Sequence, residues 1–360
     1  MKKTRIGFVG CGDISGIYLT NLTGMFADTL EIAGVCDLID AKATKKAEEF
    51  NLRKYKDMHE LFADPTVDIV LNLTRPYEHY DVTIAAIEAG KHVYSEKPLG
   101  ATLEEGRKLR DAAKAKGVQI GGATDTFLGA GIQTCRKLID DGYIGRPVAA
   151  TAFMACPGHE SWHPDPAFYY QFGGGPMLDM GPYYVTALVN LLGAVKSVSG
   201  MTQIARETRL ITSQPQNGTV VKVETPTHIA GQMAFTQGAI ASIVTSFDVF
   251  AHNLPIIEVY GTAGTLSVPD PNTFGGPIRL YRPEQGAFLE FPLTCQYPDN
   301  SRGLGVADMA AALRENRPPR AGVDLTYHVL EVMTGFYRSA ETKTQIEIET
   351  APARPEPLGL

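Results

Sequence analysis

At 360 residues the chain is longer than one hydrophobic core usually serves, so two domains are expected. Apolar residues make up 44% and charged residues 20%, as in an ordinary globular protein, and a net charge of −7 argues against nucleic acid or anionic membrane as a partner. Five scattered cysteines with no CxxC pair argue against a disulfide framework or a thiolate zinc site, and no run reaches the length of a membrane span, so a reducing cytoplasm is the expected setting.

The apolar run after Lys2 and Lys3 breaks at Gly7 and Gly10, too early for a signal peptide. Arg5–Val9 reads instead as a buried strand running into Gly10-Cys-Gly12-Asp-Ile-Ser-Gly16. In such a turn the first glycine makes the bend and the second lets backbone approach a pyrophosphate. Asp13 and Ile14 then open a helix whose N–H groups and dipole suit that anion. Glycine-rich turns are common, so the pattern gains meaning only from its structural context. Leu30–Cys36 supplies that context, reading as a second strand that ends in Asp37, 21 residues past Gly16. A carboxylate roughly 20 residues on accepts ribose hydroxyls and repels a 2′-phosphate. NAD is therefore expected over NADP, although Lys42 and Lys45 come next on a helix.

Val67–Leu73 is a third strand, ending in Thr74-Arg75-Pro76, with His79 early in the next helix. His92–Tyr94 is a fourth, stopped by Glu96-Lys97-Pro98. In an open α/β sheet, ligands bind beyond the carboxyl ends of the strands, so a lysine there is a candidate for chemistry. The proline behind it restricts its backbone, and X-Pro is the bond where cis costs little. A helix over 103–116 and a strand at 118–120 complete the alternation, predicting a Rossmann domain over residues 1–124.

Residues 125–146 read as a helical connection. Beyond it, 219–223, 229–235, 239–247, 258–260, 265–268, 279–281 and 288–293 are strand-like, and helices return at 306–314 and 325–340. The second domain, 125–360, is thus expected to be α+β with an open, mainly antiparallel sheet whose free face suits a homodimer or homotetramer.

Two constellations lie in this half. His159-Glu-Ser-Trp-His163 formally matches HExxH, but a zinc protease needs both histidines on one helix. Pro157-Gly158 precede the motif and Pro164 comes directly after His163, which disfavours helix, so a loop without metal is expected. Trp162, His159, His163 and Asp165 instead have the composition of a polyol pocket wall: an aromatic face for a ring, imidazole and carboxylate for hydroxyls. The second is Gly173-Gly-Gly-Pro-Met-Leu-Asp179-Met-Gly-Pro-Tyr183. Pro176 suits a first helical turn, and Asp179 and Tyr183, four apart, share a face. Taken singly, an early Asp is usually a dipole partner and a Tyr usually core.

In order and spacing these stretches resemble the glucose–fructose oxidoreductase/inositol dehydrogenase (Gfo/Idh/MocA) family. The likeness covers nearly the whole chain: the Gly10/Gly12 turn, Thr74 with His79, Ala-Gly-Lys-His-Val at 89–93, Glu96-Lys-Pro98, the triple glycine with Asp179, and Gly-Thr-Ala-Gly-Thr at 261–265. It implies a bound nicotinamide cofactor, Lys97 as the active-site lysine and Asp179 as its aspartate, with Thr74, Arg75, His79, Glu96 and Lys97 joining the cofactor site. Two positions depart from the pattern. Tyr183 stands where the family often has histidine, as it does in the glucose–fructose oxidoreductase branch, and Pro76 comes two residues after Thr74 rather than next to it.

The expected reaction is dehydrogenation of a secondary alcohol on a sugar, polyol or glycoside. Lys97 from one half and Asp179 with Tyr183 from the other are expected to meet one hydroxyl. Tyr183 is the first choice for the proton and His163 the second, while Trp162, His163 and Asp165 bind substrate. The rival readings are an epimerase or lyase acting through transient oxidation, and a non-catalytic cofactor-binding regulator. Retention of both Lys97 and Asp179 argues against the latter.

Overall fold

The computed structural model describes residues 3–358, leaving Met1, Lys2, Gly359 and Leu360 outside. The chain forms two compact units, Met1–Asp125 with Ser301–Tyr327, and Thr126–Asn300 with His328–Leu360. The expectation divided the chain once, near residue 124; here Ser301–Tyr327 returns to the first unit.

The first unit begins with β1 (Thr4–Val9), α1 (Asp13–Thr23), β2 (Leu30–Cys36), α2 (Asp40–Phe50), α3 (Met58–Ala63) and β3 (Ile69–Asn72). It continues with α4 (His79–Glu88), β4 (His92–Ser95), α5 (Leu103–Lys116) and β5 (Ile120–Gly122). The five strands are parallel in the order β2-β1-β3-β4-β5, so the Rossmann expectation is met. Their apolar runs are buried on both faces, as parallel strands covered by helices must be. The order reverses between β1 and β3, which makes their carboxyl ends the ligand crevice of such a sheet.

The second unit holds α6 (Ala130–Asp140), β6 (Pro147–Ala155), α7 (Pro176–Leu192), β7 (Val195–Gln203), and a two-stranded ribbon of β8 (Thr208–Leu210) and β9 (Val220–Lys222). Then come β10 (His228–Phe235), β11 (Ile240–Ser246), β12 (Ile257–Gly261), β13 (Thr265–Val268), β14 (Ile278–Tyr281) and β15 (Phe288–Phe291). α8 (Leu304–Glu315) lies in the stretch that returns to the first unit, and α9 (Val323–Thr342) and a short β16 (Ile346–Glu347) follow it. The large sheet runs β15-β14-β13-β12-β6-β11-β10-β7-β16, with β11–β6 its parallel pair.

Sequence reading missed β6 and β7. Their alanine-, serine- and glycine-rich composition carries little strand propensity, and pairing with neighbours makes them strands. The composition has a packing reason. Gly200 of β7 and Gly231 of β10 are cross-strand partners, and a Cβ on either would lie 2.8 or 2.6 Å from the Phe336 ring of α9. The helix therefore seats a phenyl ring on bare backbone.

Candidate functional site

In the first unit the candidate residues sit at the carboxyl ends of adjacent strands. Backbone bonds past the strand ends tie these loops together: Gly10 N–H to Cys36 O (2.9 Å), Leu73 N–H to Val9 O (2.8 Å) and Glu96 N–H to Asn72 O (2.8 Å). Gly10 has φ +102°, and a Cβ there would lie 2.7 Å from the Leu73 carbonyl, so only glycine allows β1 to turn against β3. At Gly12 a Cβ would meet no protein atom within 4 Å. That open space borders the N-terminus of α1, with exposed Asp13 and half-buried Ile14 in its first turn.

Asp37, at the end of β2, accepts the N–H of Cys11 (2.7 Å) on one oxygen and that of Ile39 (2.7 Å) on the other. It thus holds the glycine turn in place, and each oxygen keeps acceptor capacity for a hydroxyl. Open backbone at a helix N-terminus, with a carboxylate on the next strand, fits a dinucleotide.

Thr74 is fixed by Asn72, whose side-chain oxygen accepts both the Thr74 N–H (3.2 Å) and hydroxyl (2.7 Å). Asn72 also donates to His79 O and Thr83 Oγ1, so it is fully buried with its polar atoms used. Sequence reasoning passed over it as part of a strand; the signal was an Asn two residues before a Thr at a strand end. His79 is buried, which lowers its pKa, and its ring spans the carbonyls of Pro98 (2.8 Å) and Thr74 (3.0 Å). This makes it a brace between two rim loops. Arg75 is exposed beside it.

Glu96 accepts the Tyr18 hydroxyl (2.8 Å) and the Lys97 backbone N–H (3.0 Å). Tyr18, on the buried face of α1, is another participant that local pattern reads as core. Lys97 is half-buried directly beyond β4, and the peptide to Pro98 is cis.

In the second unit, the glycine-rich run folds back on a 3₁₀ turn, Ala167–Tyr170: Gly175 N–H donates to Tyr169 O (2.7 Å) and Gly174 N–H to Gln171 O (2.9 Å). Pro176 is the first residue of α7, as predicted, and Asp179 and Tyr183 lie one turn apart on it. Residues 156–166 contain no helix. Among the described residues no group of three or more His, Cys, Asp or Glu side chains could hold a metal. Glu160 of the formal HExxH instead pairs with Arg209 (2.9 Å) and accepts the Tyr170 hydroxyl (2.6 Å).

His159 is buried, its Nε2 3.7 Å from Asp179 Oδ2. Its ring stacks on Tyr169 at 3.8 Å and 11°, with Phe247 edge-on at 4.6 Å. Trp162 is 62% exposed, between the rings of His159 and His163. His163 Nδ1 accepts the Asp165 N–H (3.0 Å), and Asp165 accepts Gln216 Nε2 (3.0 Å). Ring contacts and one backbone bond thus link His159, Trp162, His163 and Asp165 in a chain, and His159 lies against the Asp179 carboxylate. The sequence reading counted His159 in the pocket wall but gave it no part in proton transfer.

Two family models match stretches of this chain. Residues 4–123 match the family described as "Oxidoreductase family, NAD-binding Rossmann fold", and residues 132–267 match the GFO/IDH/MocA C-terminal domain. The 1,5-anhydro-D-fructose reductase of Ensifer adhaerens is 32% identical over 299 residues, 81% of this chain and 83% of that one. An inositol 2-dehydrogenase/D-chiro-inositol 3-dehydrogenase of Lactiplantibacillus plantarum is 33% identical over 150 residues; that match spans 42% of its length and 40% of this chain. The solved structure of a levoglucosan dehydrogenase in complex with NADH and L-sorbose shares the fold, with a TM-score of 0.83 at 19% identity over 97% of this chain and 100% of that one.

Proposed function

This chain belongs to the GFO/IDH/MocA oxidoreductase family, and on that premise we propose that it oxidises a secondary hydroxyl of a sugar, inositol-like polyol or glycoside. NAD is the cofactor, and when bound it supplies the hydride acceptor. The observation that carries the reading is the rim of the first unit, where an open glycine turn, a ribose-type carboxylate at Asp37 and Lys97 stand at the ends of neighbouring parallel strands.

Gly10, Gly12, Asp13 and Ile14 would hold the pyrophosphate, Asp37 the adenosine ribose, and Thr74, Arg75 and Glu96 the remaining edge, with His79 bracing it. A 2′-phosphate would meet the Asp37 charge, which favours NAD over NADP. Lys97 is assigned to stabilise the alkoxide that develops as hydride departs. On α7, Asp179 is assigned to bind a substrate hydroxyl and Tyr183 to take its proton. Trp162, His163 and Asp165 suit the rest of a polyhydroxylated ring. The free face of the large sheet suits a second copy of the chain.

NADH formation across a panel of polyols and glycosides tests this. With the best substrate, Lys97→Met abolishes turnover while NAD still binds, and Tyr183→Phe slows it at least tenfold, about 1.4 kcal/mol in barrier. Full activity in both variants removes the assignment. Product without net NADH would mark transient oxidation instead.

A further inference from the structure

Resting on the dehydrogenase reading, we infer that His159 is the net acceptor of the substrate's proton and that Asp179 holds it in that role. At 3.7 Å, His159 Nε2 and Asp179 Oδ2 are beyond a normal hydrogen bond but within ion-pair range. The attraction therefore grows when the imidazole gains its proton, so the carboxylate favours the charged form.

The surrounding groups keep that influence specific. On the 3₁₀ turn, Tyr169 stacks against the ring, and the Tyr170 hydroxyl accepts the His159 backbone N–H (3.2 Å) and donates to Glu160. From the sheet, Phe247 closes the ring edge, and Cys156 lies just past β6, three residues before His159. Glu160 and Asp248 both face Arg209, which also donates to Pro157 O and Phe247 O. Their charges are answered by the guanidinium, while Asp179 stands within ion-pair range of the imidazole. Stacking and the edge contact also hold the ring plane, so proton transfer needs no reorientation.

The chemistry favours imidazole as the final proton store. A phenol has a pKa of about 10 and an imidazole about 6.5, so near neutral pH the imidazole is the group that can keep a proton and later release it. In the step, the substrate O–H bond breaks and its C–H electron pair leaves as hydride to NAD. The Tyr183 hydroxyl passes one proton on as it receives another and ends as it began. An N–H bond forms on His159, and the imidazolium then gives that proton to water.

The test is the pH dependence of turnover together with the titration of the ring itself. In His159→Gln, kcat is expected to fall at least tenfold near neutral pH, with KM changed less than threefold, and the acid limb of the kcat profile is expected to vanish. By NMR, without cofactor or substrate, the His159 imidazole is expected to titrate at lower pH in Asp179→Asn than in wild type. An acid limb retained in His159→Gln, an effect confined to KM, loss of the limb in His163→Gln alone, or an unchanged imidazole titration in Asp179→Asn would overturn the inference. If wild type oxidises no member of the panel, the functional reading fails, and the NMR comparison still decides the His159–Asp179 pair.

Discussion

Asp125 shows how one buried carboxyl can organise a region. Its Oδ2 accepts the N–H groups of both Gly303 (2.9 Å) and Gly305 (3.0 Å), at the start of α8. Burial raises its pKa to about 6, against the two backbone bonds that favour the ionised form. A carboxyl whose folded pKa lies above its unfolded value of about 3.9 favours folding fully below pH 4 and loses that contribution as pH rises through 6. Because one oxygen takes both bonds, Asn can replace it. Asp125→Asn should therefore gain stability over wild type between pH 4 and pH 6, by up to about 3 kcal/mol, in urea unfolding at stepped pH. His328 acts in the opposite sense in both proteins: burial lowers its pKa to about 4, so its contribution is lost as pH falls from about 6.5. It cancels in the difference. At Asp37, Asp37→Ser should cut the preference for NAD over NADP at least tenfold in kcat/KM, about 1.4 kcal/mol, by removing the charge a 2′-phosphate would meet. An unchanged ratio would show that Asp37 serves only to hold the glycine turn through Cys11.

Among the elements, the segment from β6 to α7 depends on contacts far along the chain. Arg209 on β8 is 2% exposed and faces Glu160 on that segment and Asp248 beyond β11, while Thr227 also donates to Asp248 (2.5 Å). Removing one partner of a buried ion group strands the others, at a cost of about 3–5 kcal/mol. Arg209→Met should therefore lower the unfolding transition, and adding Glu160→Gln and Asp248→Asn should recover part of the loss if the stranded charges are its cause. Additive losses would assign the cost to packing. The helical side of this region was legible early. Pro176 in the first turn and apolar spacing to Leu192 define α7, and the Asp179–Tyr183 face comes from helical period alone. The partner of that face was not legible, because a turn brings His159 to Asp179 with no periodicity to announce it.

For the whole molecule, the paired strands carry two contrasting rows. Gly200, Gly231, Ile243 and Ala152 form one, facing the helical side where Phe336 packs. Met201, Ala230, Val244 and Phe153 form the adjacent row on the other face, with Met201 79% exposed. An apolar row across four strands suits an isologous contact between copies. Sedimentation should find a dimer or tetramer, and Val244→Arg should reduce its size by setting like charges against each other; a monomeric wild type would sink that expectation.

By itself the sequence determined the succession of parallel strands and helices, the glycine turn, the position of Lys97 beyond a strand and the shared face of Asp179 and Tyr183. Each of these rests on chain-local physics: backbone period, turn chemistry and the stops set by Gly and Pro. Only the tertiary structure decided that Ser301–Tyr327 joins the first unit, where Asp125 receives it, and that β6 and β7 are strands. It also decided that Arg209 answers Glu160 and Asp248, and that His159 comes against Asp179. These partners are 20 to 180 residues apart, and which buried charge faces which is settled by how the elements pack, a choice that leaves no trace in local spacing.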